Sequence, residues 1–131
     1  MNTKSKIMIV DDDKFLLDMY SLKFSEQGFE VETAMSADEA LQKFEAGFQP
    51  VIFLVDLIMP GMDGFQLIEK LREKGAHEKA AIIILSNLGQ KEDIEKGLSL
   101  GVDGYIVKAS ATPSEVVNRV SEISDHSAAK K

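Results

Sequence analysis

The chain has no cysteine. That excludes disulfides and thiolate metal centres, and it suits a reducing cytoplasm, the expected location. Long apolar runs are missing as well: "MNTKSK" leads into only a short apolar stretch, not a signal-peptide core, and no segment reaches the length of a membrane span. A soluble protein without membrane contact is expected. Cations are in deficit, 15 Lys and Arg against 22 Asp and Glu for a net charge of −7, and that balance repels a phosphate backbone or an anionic leaflet. No direct nucleic-acid binding is expected.

What the chain does contain alternates in character. "IMIV" (7–10) is too brief for a buried helix and β-branched enough for a strand covered on both faces. From Lys14 to about Gln27 the spacing predicts a helix, with Phe15, Leu16, Met19, Leu22 and Lys23 alternating roughly by turns and Gly28 closing it. "FEVET" (29–33) alternates like an edge strand with one wetter side. Ser36 and Glu39 form a capping box before a helix whose apolar face is Ala37, Ala40, Leu41 and Phe44, ending at Gly47. "VIFLV" (51–55) is a third strand, followed by Asp56 and a turn-rich "MPGMDG" in which Asp63 reads as a turn former; Phe65, Ile68 and Leu71 then mark a third helix.

"AIIIL" (81–85) predicts a fourth strand with Ser86 at its end, and residues 90–101 a weaker helix carrying Ile94, Leu98 and Leu100, with Gly97 counting against it. "GYIV" (104–107) is the fifth strand, ending at Lys108. Thr112, Pro113 and Glu115 form a capping box with proline at the first helical position, opening a helix with Val116, Val117, Val120 and Ile123 inward. The last residues, 125–131, are expected to fray. Five strands alternating with five helices predict an α/β fold, a doubly wound parallel sheet of flavodoxin-like (βα)5 type. The expected strand order is 2-1-3-4-5, with ligands beyond the carboxyl ends of the strands.

Those ends carry the charge. Asp11 and Asp12 close strand one, Asp56 strand three, Ser86 strand four and Lys108 strand five, and only the edge strand is skipped. At 4 Å and an effective dielectric near 20, each pair of like charges costs roughly 4 kcal/mol. One lysine neutralises part of this, so a divalent cation with hard oxygen ligands is the natural complement, and no histidine or cysteine at these ends favours zinc. Mg²⁺ fits, because it accepts a few carboxylates and keeps waters; a backbone carbonyl after Asp56 is a further candidate ligand. A carboxylate facing a metal, with a hydroxyl and an ammonium nearby, can attack phosphorus. Asp56 is the candidate nucleophile, Asp11 and Asp12 the metal holders, and Ser86 and Lys108 the donors to phosphoryl oxygens. Asp13 reads as a helix cap or first-turn acid.

"VDD" after strand one, "VDLIMPGMDG" at strand three, Ser86 after "IIIL" and "GYIVK" at strand five together resemble the receiver domain of two-component response regulators. The resemblance covers about 6–123, the core of an expected single domain over 1–131. It implies self-catalysed transfer of a phosphoryl group from a partner's phosphohistidine to Asp56, with slow autodephosphorylation. It also implies that Ile58 gives the metal its backbone carbonyl. Ser86 and Tyr105 would move inward on phosphorylation and reshape the face of helix four, strand five and helix five. The implied partners are a histidine kinase or a histidine-containing phosphotransfer protein, acting in trans because neither His77 nor His126 fits a phosphodonor. Downstream, a partner protein or an output domain would read the switch, and a homodimer on phosphorylation stays open.

Two positions depart from the family's pattern. Ala109 stands after Lys108 where proline is common, so a trans bond is expected there, since a cis one without proline costs about 2.5 to 4 kcal/mol. Asn87 stands where a small residue is usual and is expected to alter the access of attacking water, and so the phosphoaspartate lifetime. Two other functions stay open: an aspartate-nucleophile phosphatase using Asp11 and Asp13, for which Phe15 is wrong and a capping domain lacks room, and an interaction module that takes no phosphate. A calcium loop fails for want of glycine and glutamate at the required offsets from Asp11.

Overall fold

The apolar runs become the inner strands of one sheet. In the computed structural model, which describes residues 5–130 with side chains through His126, the strands are β1 (Lys6–Val10), β2 (Glu30–Ala34), β3 (Ile52–Val55), β4 (Ala81–Ser86) and β5 (Gly104–Val107). Every pairing is parallel and the order is β2-β1-β3-β4-β5, as expected. The helices between them are α1 (Lys14–Glu26), α2 (Ala37–Glu45), α3 (Gly64–Glu73), α4 (Lys91–Ser99) and α5 (Pro113–Lys130).

Strand alternation splits the core in two. Ile7, Ile9, Ile52, Leu54, Ile83 and Leu85 face one side and pack on α1 and α5. Met8, Val10, Phe53, Val55, Ile82 and Ile84 face the other and pack on α2 and α3. Both faces of the inner strands are therefore dry, which is why they read as unbroken apolar runs.

The helix ends follow their signals closely. Gly28, at φ +92°, lets α1 stop in a Schellman closure: its N–H donates to Ser25, and the N–H of Phe29 donates to Phe24. The rings of Phe24 and Phe29 then meet edge to face at 5.5 Å. At α5 the expected box is complete, Thr112 Oγ1 accepting from the Glu115 N–H while Glu115 Oε1 accepts from the Thr112 N–H. At α2 it is half built: Ser36 accepts from the Glu39 N–H, but Glu39 reaches past it to the Met35 N–H. Asp63 is more than a turn former, since it caps α3 in a reciprocal box with Gln66.

Other expectations need correction. On α1 the buried residues are Leu17, Tyr20 and Phe24, whereas Phe15 and Leu22 stand 76% and 60% exposed. The helix is apolar on most sides, so its turn-by-turn pattern does not settle which side turns in. On α4 the single buried residue is Gly97, and Leu98 is exposed. A Cβ there would lie 2.7 Å from Ile84 Cδ1 and 3.0 Å from the Tyr105 ring, so the glycine is what lets α4 approach the sheet. The backbone of α5 runs through Lys130. Residues 1–4 and 131 of the expected domain lie outside the described residues. Among the described residues, no helix is long and apolar enough to cross a membrane.

Candidate functional site

Register puts the acidic strand ends together. Val10 of β1 lies opposite Val55 of β3, so Asp11 and Asp56 leave the sheet side by side. The Asp56 N–H donates to the Val10 carbonyl at 2.9 Å and the Asp11 N–H to the Ala34 carbonyl at 3.0 Å, which holds both backbones in the sheet direction. Lys108 follows β5 and reaches across β4: its Nζ is 2.6 Å from Asp11 Oδ2 and 3.1 Å from Asp56 Oδ2. These three side chains are each at most 9% exposed. Burial alone would lower the Lys108 ammonium, but the two carboxylates outweigh it and hold it above the ordinary 10.5.

The remaining oxygens are also occupied. Asp11 Oδ1 accepts from the Asp13 N–H at 2.9 Å, and Asp13 caps α1, its Oδ1 accepting from the Leu16 N–H at 3.2 Å. Asp56 Oδ1 faces the Ile58 N–H at 3.4 Å. Behind Asp56 the chain folds back tightly, the Gly64 N–H donating to the Leu57 carbonyl at 2.9 Å. A Cβ on Gly64 would sit 2.3 Å from the Asp56 carbonyl oxygen, so only glycine permits this approach.

Asp11, Asp12, Asp13, Asp56 and Lys108 line a cleft of about 220 Å³, joined by Leu16, Ile58 and Asn87. Asp12 is exposed, and one oxygen from each of Asp11, Asp12 and Asp56 lies within 4.8 Å of the others. Three carboxylates against the one ammonium of Lys108 leave the group two charges negative. An acidic, all-oxygen donor set with that surplus fits a hard divalent cation.

Two predicted residues sit elsewhere. Ser86 is fully buried and does not line the cleft; its Oγ accepts from the Leu88 N–H at 3.3 Å. Tyr105 donates its hydroxyl to the Leu88 carbonyl, so one residue's backbone holds both. Burial pushes the Tyr105 phenol up, and Asp93 and Asp56 add to the shift. The Lys108–Ala109 bond is trans, as expected, and residues Lys108–Ser110 form one 3-10 turn.

Sequence reasoning missed Leu88, a backbone role with no side-chain signature. It also missed Tyr20, whose phenol burial raises and the Lys108 charge lowers, with Asp11 and Asp56 raising it. A tyrosine on the inward stripe of α1 was the available signal. His77 lies in a 3-10 turn, Ala76–Glu78, ahead of β4 and so at the opposite end of the sheet. A larger hollow of about 620 Å³, bordered by Phe44, Glu45, Lys74 and Lys79, also opens there and holds none of the predicted site residues.

The family model "Response regulator receiver domain" matches residues 7–121. The phosphate regulon transcriptional regulatory protein PhoB of Rhizobium meliloti (strain 1021) is 33% identical over 115 residues, covering 88% of this chain and 50% of that protein. The transcriptional regulatory protein ResD of Bacillus subtilis (strain 168) is 35% identical over 118 residues, 89% of this chain and 47% of its own. The chain thus spans about half the length of these curated relatives. A CheY-like response regulator receiver domain protein from Methanospirillum hungatei JF-1 superposes with a TM-score of 0.87 at 29% identity, over 98% of this chain and 100% of that one. Fold, strand-end chemistry and these matches agree: the chain belongs to the response regulator receiver domains of two-component systems.

Proposed function

We propose that Asp56 accepts a phosphoryl group from a partner's phosphohistidine in a magnesium-dependent transfer. The observation that carries this is the Asp56 carboxylate at the base of an acidic cleft, 3.1 Å from the Lys108 ammonium and clustered with Asp11 and Asp12. Asp11, Asp12 and Asp56 would hold Mg²⁺, with the backbone carbonyl of Ile58 as a further ligand. The ion would supply positive charge for the phosphoryl oxygens.

An Asp56 oxygen attacks phosphorus as the bond to the histidine nitrogen breaks. Lys108, already in contact, donates to a phosphoryl oxygen and spreads its charge. Ser86 moves inward from its Leu88 contact to donate to another, Tyr105 follows, and the face of α4, β5 and α5 changes. A histidine kinase or histidine-containing phosphotransfer protein loads the site, and a downstream protein or output domain reads it, with homodimerisation on phosphorylation as one route. The chain works in the cytoplasm, with no membrane contact. Its net charge of −7 supports the reading that this stretch does not itself touch nucleic acid. The relatives named as transcriptional regulators are about twice as long as the stretch matched here.

The test is to incubate the protein with Mg²⁺ and acetyl phosphate and weigh it intact. A phosphoryl adduct lost in Asp56→Asn is expected. One that survives in Asp56→Asn but vanishes in Asp11→Asn would mark a phosphatase-like nucleophile instead, and no adduct in the parent protein would mean a module that takes no phosphate.

A further inference from the structure

Four of the residues lining the acidic cleft are exposed, Asp12, Asp13, Ile58 and Asn87; Asp12 is assigned to the metal and Asp13 caps α1, which leaves two unlike side chains at the mouth. Ile58 is 55% exposed; Asn87, just beyond β4, is also exposed and lines the same cleft. Asp56 is buried between β1 and β4, so a phosphoryl group on its carboxylate projects outward, past Ile58 and Asn87. Among the described residues lining the cleft, Asn87 supplies the one uncharged hydrogen-bonding side chain. Ser86 Oγ is engaged by the Leu88 N–H in this structure, and on phosphorylation its one hydroxyl proton is committed to a phosphoryl oxygen, so the water is left to another side chain.

Hydrolysis of an acyl phosphate at phosphorus places the attacking and leaving oxygens roughly in line. The leaving oxygen belongs to Asp56, so water must arrive from the mouth. A carboxamide can accept from that water through its oxygen and donate to a phosphoryl oxygen through its nitrogen, whereas the Ile58 side chain can do neither. We infer that Asn87 positions the water that removes the phosphoryl group from Asp56, an inference that rests on Asp56 being the acceptor. The water oxygen bonds to phosphorus as the bond from phosphorus to the Asp56 oxygen breaks. The electron pair returns to the carboxylate, and both hydrogens of the water leave on dihydrogen phosphate. Asn87 takes no proton; it is a positioning residue.

The experiment loads the protein with acetyl phosphate and Mg²⁺, removes the donor and follows loss of the adduct by intact mass in the parent, Asn87→Ala and Asn87→Leu. Leucine keeps the bulk without the hydrogen bonds. Both variants are expected to lose the group about fivefold more slowly, the worth of one neutral hydrogen bond. Hydroxylamine attacks the Asp56 carbonyl carbon and needs no in-line water, so it is expected to strip all three at one rate. Equal decay in water overturns the inference. So does faster decay in Asn87→Ala with Asn87→Leu like the parent, which would make the side chain a shield, and so does an equal slowing with hydroxylamine. A parent protein that never loads overturns the Asp56 reading itself and is told apart by that.

Discussion

Lys108 is the residue on which the charges of the site balance. Its ammonium is shared by two buried carboxylates, and removing one member of such a group leaves uncompensated charge in a poorly solvated place. Lys108→Met is therefore expected to lower stability by about 3 kcal/mol in chelator-containing buffer, measured by urea unfolding, with added Mg²⁺ restoring part of the loss. Asp11, Asp56 and Lys108 were legible because each ends an apolar run. Ser86 was legible in place but not in direction: its burial and its bond to the Leu88 N–H depend on how the chain leaves β4. At Glu39, the Met35 N–H lowers the carboxyl below its ordinary 4.5, burial opposes this, and Lys43 helps. The folded state thus favours the ionised form, a stabilisation present above pH 4.5 and lost as pH falls through the lower folded value. Thermal melts across the acid range should show Glu39→Gln less stable than the parent at neutral pH, the gap closing below pH 4.5.

At the scale of elements, the strands announce themselves and the helix rotations do not. A strand buried on both faces needs only a run of apolar residues, but α1 carries apolar side chains around most of its circumference and offers two overlapping stripes. The stripe of Leu17, Tyr20 and Phe24 turns in, and the Schellman closure with the ring contact of Phe24 and Phe29 anchors it there. Leu17→Ala should then cost about 2 to 5 kcal/mol through loss of packing and a cavity, and Leu22→Ala no more than about 0.5 kcal/mol, both by denaturant titration. For α4, glycine counted against a helix on propensity, yet it is the residue on which the helix approaches the sheet. Gly97→Ala gains about 1 kcal/mol of helix propensity but drives a methyl against Ile84 and the Tyr105 ring. A net loss of about 1 kcal/mol is expected from overpacking; a net gain would mean α4 is not held by this approach.

Over the whole molecule, alternation of strand and helix dictates a parallel sheet, a parallel sheet gathers all strand carboxyl ends on one side, and the order β2-β1-β3-β4-β5 makes the ends of β1 and β3 neighbours. That logic is readable from residue types alone, which is why Asp11, Asp56 and Lys108 could be grouped before any distance was known. The link through Leu88 and the position of Tyr20 beside the charged cluster emerge only once helices and loops are packed. The central claim is that this arrangement makes Asp56 the acceptor. Its most direct test is to load the parent protein with acetyl phosphate, reduce the acyl phosphate with borohydride and sequence the peptides. The account predicts a homoserine at position 56 that forms only with Mg²⁺ present. A homoserine at position 11, or one at 56 formed equally well in chelator, would contradict it.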